Sequence, residues 1–97
     1  MGNQEQETEH LTSQKIKLIR GFLRMNQTQF ATAIGVSRMA VGLWESKATK
    51  QNGTKILPSE ENFERIAALV NIDPFVIRTP DTGTEYLYNH LKNQSRP

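Results

Sequence analysis

The chain has no cysteine at all. A disulfide framework and thiolate chemistry are therefore excluded, and a reducing compartment suits it. Long apolar runs are lacking too. None approaches the roughly 20 residues of a membrane span, and no signal-peptide core is present. Histidine is scarce: the two present, His10 and His90, lie in polar end segments. No Ser/His/Asp set, metal-ligand cluster or phosphate-binding glycine loop can be assembled, so neither an enzyme nor a cofactor or metal site is expected. Met1-Gly2 opens like a myristoylation signal, but the sixth position is Gln6 where that signal needs Ser or Thr. At 97 residues there is room for one small domain with an appended arm, and little for a deep catalytic cavity.

Charge is present but unevenly spread. The formal total of +2 conceals a basic middle. Residues 1–14 carry Glu5, Glu7 and Glu9 and no basic side chain. Residues 15–57 carry Lys15, Lys17, Arg20, Arg24, Arg38, Lys47, Lys50 and Lys55 against Glu45 alone. Beyond them the balance is mildly acidic again. A solvated charged face would give such a count, and so would a surface for a polyanion.

Apolar residues recur with helical spacing. Residues 1–13 are polar and are expected to form a flexible arm. Ser13 is then the natural cap of a first helix whose stripe is Ile16, Ile19 and Leu23. Asn26, with Gln29 three residues on, has the spacing of a capping box for a second helix burying Phe30, Ala31 and Ile34. Gly35 falls where a left-handed residue ends that helix. Ser37 caps a third helix, which buries Val41 and Trp44. A long polar loop follows, with a turn signal at Asn52-Gly53. Ser59, followed by Glu60 and Glu61, opens a fourth helix with Phe63, Ile66, Ala67 and Val70 inside. Asp73-Pro74 starts a short fifth, with Phe75, Val76 and Ile77 inside. Period-two alternation never exceeds four residues, so the domain is expected to be all-α.

Two short helices joined by a glycine bend form a helix-turn-helix unit. The segment resembles the Cro/C1-type (XRE-family, lambda-repressor-like) helix-turn-helix proteins of phage and bacteria. Gln27-Thr28-Gln29, Ala31, Gly35-Val36-Ser37, Val41 and Trp44-Glu45 carry the resemblance, which extends through "PSEENFERIAALVNIDPF" and covers about residues 14–78. It departs from the pattern at Lys47, where the family usually has Gly, and in a longer loop before Pro58. The resemblance implies a five-helix lambda-repressor-like DNA-binding domain over residues 14–79, with the helix-turn-helix at about 27–46. Residues 1–13 would be the arm, and residues 80–97 a short C-terminal extension, helix or strand.

It also implies contacts. The start of the third helix would read base edges through Arg38, Met39, Gly42 and Leu43. Arg38 alone suits bidentate pairing with guanine; Met39 and Leu43 suit thymine methyls, or else the core. Gln27, Thr28, Ser37, Ser46, Lys47, Lys50 and Lys55 would hold the DNA backbone, fixing position without specifying sequence. Lys15, Lys17 and Arg20 suit solvated surface equally well. The expected function is a sequence-specific, double-stranded-DNA-binding transcriptional regulator, a repressor bound as a homodimer to an inverted repeat. Dimerisation would fall to Phe75, Tyr86, Leu87 and Leu91, whose rival role is packing on the chain's own helices. Neither a membrane nor a small-molecule ligand is expected as a partner, and a cytoplasmic, nucleoid-associated location follows. The alternative is a protein-interaction module, such as the antitoxin of a toxin–antitoxin pair.

Overall fold

The capping signals place most of the helices. The computed structural model describes residues 4–46, 49–78 and 84–94, without the side chains of residues 4–11 and 94. Its described helices are α1 (Gln4–Phe22), α2 (Gln27–Ile34), α3 (Arg38–Glu45), α4 (Glu60–Leu69), α5 (Pro74–Arg78) and α6 (Thr84–Gln94). The all-α expectation holds, with one helix more than the five expected. No helix among the described residues is long and apolar enough to cross a membrane.

α1 is the first correction. It begins at Gln4 rather than at Ser13, so most of the supposed arm is helical. The segment is poor in apolar residues but rich in Gln and Glu, which are good helix formers, and glutamates near a helix N-terminus complement its dipole. Ser13 is consequently no cap. It lies inside α1, buried, with a hydroxyl that has no hydrogen-bond partner among the described residues. Ile16 and Ile19 are fully buried as expected, and Leu23 packs against the core from its edge. Lys15 is also fully buried, its ammonium donating to the Val76 carbonyl at 3.0 Å.

The expected core of α2, α3 and α4 is present: Phe30, Ala31, Ile34, Val41, Trp44, Phe63, Ile66, Ala67 and Val70 are all buried. Ser59 accepts from the Asn62 amide at 3.2 Å, capping α4. Asp73 accepts from the Phe75 amide at 2.9 Å ahead of α5. Val76 and Ile77 point inward, but Phe75, expected beside them, is 55% exposed. In a helix of only five residues, two adjacent inward positions leave the residue before them facing out.

The C-terminal extension is a helix. Leu87 and Leu91, one turn apart on α6, are 0% and 1% exposed and complete the core against α1. The dimerisation expected of them is therefore corrected: they are buried in their own chain. Tyr86 lies on the outer side of α6, 53% exposed and stacked on His90.

Candidate nucleic-acid interface

The position of α3 is set by three local devices. Asn26 is extended and accepts from the Gln29 amide at 2.8 Å, while Gln29 accepts from the Asn26 amide at 2.9 Å, completing the capping box. Gly35 ends α2 at φ +93°, a left-handed conformation that glycine adopts without strain. The amides of Gly35 and Val36 both donate to the Ala31 carbonyl, closing the bend. Ser37 then caps α3, accepting from the Ala40 amide at 3.1 Å.

Val41 and Trp44 anchor α3 to the core, and this fixes what faces out. Arg38 is exposed at the first turn, and Met39 beside it is 72% exposed. Met39 is thus not a core residue. Gly42 and Leu43 are half-buried. Thr28, at the start of α2, is exposed, and Gln27 is half-buried.

Gln27 belongs to a cluster that the sequence does not reveal. The Glu45 side chain is 3% exposed and is gripped by Arg20, whose Nε and Nη2 donate to its two oxygens at 2.7 and 2.9 Å. Gln27 Nε2 donates to the same carboxylate at 3.2 Å, and Arg20 Nη1 donates to the Met25 carbonyl at 3.0 Å. The bond to Glu45 holds the Arg20 guanidinium more basic than usual, against the opposing effect of burial. Arg20 is therefore a strut between α1 and α3 rather than solvated surface. The carboxamide of Gln27 also lies over Gly42: a Cβ there would come 3.9 Å from Gln27 Oε1, ordinary contact distance.

Lys55 is the second correction at this site. Expected on the DNA backbone, it is 3% exposed. Its ammonium donates to the carbonyls of Leu43, Trp44 and Ile56 at 3.0–3.3 Å. A cation among the last carbonyls of a helix satisfies orphan acceptors and complements the dipole. It is delivered by a small hairpin: Thr49 and Lys55 form an antiparallel bridge, the Lys50 amide donates to Thr54, and Gly53 turns at φ +84°. The Asn52-Gly53 turn is where the sequence places it. Lys50 stays exposed at the hairpin, and Ser46 caps α3 with its hydroxyl donating to Leu43. Lys47 lies outside the described residues.

One further cation borders α2. Arg24, in the link from α1, has φ +58° and is exposed. For a non-glycine residue that conformation is uncommon and costs roughly 1 kcal/mol.

Among the described residues no cluster of His, Cys, Asp or Glu could hold a metal ion. No family model, curated protein or solved structure matches the chain.

Proposed function

We propose that this chain is a sequence-specific, double-stranded-DNA-binding transcriptional regulator. In this reading α2 and α3 form a helix-turn-helix, within a lambda-repressor-like domain of the Cro/C1 type. The observation that carries it is the outward face at the start of α3. Arg38 and a 72%-exposed Met39 stand together there, on a helix held from behind by Val41, Trp44 and Glu45. A major groove offers guanine acceptors to the one and thymine methyls to the other. The basic middle of the sequence supplies the matching long-range field.

Thr28, Lys50 and the N-terminus of α2 would hold phosphates. Gln27 would contribute through the carbonyl end of its amide or through its backbone, since Nε2 is bonded to Glu45. Lys55 has no place on this surface. One such domain reads only a few base pairs, so the regulator acts as a dimer on an inverted repeat, with half-sites about one helical turn apart.

The test is selection of bound sequences from a random duplex library by the wild type and by Arg38→Ala. The reading requires that the wild type enrich an inverted repeat and that the variant lose a guanine preference in each half-site. Binding by both proteins without any enrichment, collapsing steeply with salt, would reduce the surface to a nonspecific basic patch.

A further inference from the structure

Gln27 and Gly42 meet across the bend that joins α2 to α3. Gln27 is the first residue of α2, and its Nε2 donates to the Glu45 carboxylate at 3.2 Å. Glu45 is gripped in turn by Arg20 at 2.7 and 2.9 Å, its side chain 3% exposed. A carboxylate offers no donor, so only the NH2 end of the Gln27 amide can satisfy it. That pairing settles which way the amide faces. Oε1 is left at the other end, and among the described residues no donor reaches it.

Gly42 keeps that oxygen uncovered. It stands in the middle of α3, where glycine is less favourable than alanine. Its backbone is not left-handed, so no turn requires a glycine there. A Cβ added at Gly42 would meet Gln27 Oε1 at 3.9 Å, an ordinary contact distance, so packing does not require one either. Gly42 follows Arg38 by four residues and so shares its side of α3. On that side, where a side chain of α3 would begin, the nearest polar atom is the carbonyl oxygen of Gln27.

We propose that Gln27 reads a base through the opening at Gly42, its Oε1 accepting from an exocyclic amine, adenine N6 or cytosine N4. Those amines are the donors that a major groove presents. Phosphates, the guanine edge and thymine O4 present only acceptors, which a carbonyl oxygen cannot bond. Gln27 therefore belongs with the bases rather than with the phosphates, and it supplies to α3 the side chain that position 42 lacks. Glu45 is a positioning residue, acting through the amide that it orients. One turn of α3 advances about 5.4 Å, so the amine falls about one or two base pairs from the guanine read by Arg38.

The inference rests on the regulator reading, and one experiment separates the two. Sequences bound from a random duplex library would be selected by the wild type, Gln27→Leu, Gln27→Ala and Glu45→Gln, with helicity checked by circular dichroism. At one position in each half-site the wild type should prefer A or C over G or T about tenfold, and the base enriched tells which amine is read. Both Gln27 variants should level that position while keeping the guanine set by Arg38. Glu45→Gln carries an amide that donates as well as accepts, so Gln27 can turn, and G or T should be admitted there. Should that variant lose helicity, the two Gln27 variants decide alone. Gln27 variants that weaken every sequence alike would make the residue a backbone contact and overturn the proposal. Loss of the guanine instead would make Gln27 a support for Arg38 and overturn it too. So would a folded Glu45→Gln that keeps the wild-type preference. Each of these three leaves the regulator standing, whereas a wild type that enriches no sequence removes the regulator and this inference together.

Discussion

Arg20 on α1 meets both carboxylate oxygens of Glu45 on α3, although 25 residues separate them in the chain. Since Glu45 is nearly dry, removing one partner leaves a charge that water cannot reach. Arg20→Met should destabilise the fold by about 3 kcal/mol, the lower end for a broken buried pair because Arg20 keeps some solvent contact. Adding Glu45→Gln should recover part of the loss. Chemical denaturation of the single and double variants measures the coupling, and simple additivity would rule it out. Arg20 is raised above its already high value, so its contribution is complete below the ordinary arginine range and is lost only as pH climbs through the raised one. This pair therefore adds no pH dependence through Arg20 near neutrality.

Lys55 and Lys50 sit five residues apart yet should behave oppositely. Lys55→Met strips three carbonyls of their shared donor, at a cost of about 2 kcal/mol. Lys50→Ala should leave the melting temperature alone. If Lys50 lies on a phosphate, its loss should lower the slope of log K against log salt by about 1. DNA binding measured at several salt concentrations would separate the two roles. A reduced slope for Lys55→Met in still-folded protein would reinstate it as a backbone contact.

Arg24 offers a way to divide stability from binding. Arg24→Gly relieves the left-handed backbone at φ +58° and should stabilise by about 1 kcal/mol, or several degrees in melting temperature for a domain this small. If the guanidinium beside α2 faces DNA, affinity should fall while stability rises. A fall or a rise in both together would refute this separation.

On α6 two adjacent residues have opposite environments. Leu87→Ala should cost about 2–5 kcal/mol, because it empties a fully buried site. Tyr86→Ala, at an exposed position, should shift stability by well under 1 kcal/mol. Equal effects would mean that α6 does not complete the core as described.

What was legible in the sequence was whatever is settled within a few residues. The caps at Asn26, Ser37, Ser59 and Asp73, the left-handed Gly35 and the Asn52-Gly53 turn depend on neighbours three or four positions away, and all fall where expected. Apart from the cap expected at Ser13, which lies inside α1, the misses are pairings over distance. Helical spacing says which face a residue occupies, not what stands opposite, so Arg20, Lys55 and Lys15 read as surface cations. Only the isolation of Glu45 among eight basic residues hinted at a buried partner. For the first ten residues, apolar content and helix propensity pointed in opposite directions, and propensity prevails. Leu87 and Leu91 showed their one-turn spacing plainly, but spacing alone does not say whether the surface they meet belongs to the same chain.

The chain has a single tryptophan, and it lies in α3, 4% exposed, with its carbonyl held by Lys55. Its emission therefore has one structural source. A red shift or a gain in quencher access in the otherwise folded protein would register α3 loosening from its seat, with no dye attached and no competing indole to subtract.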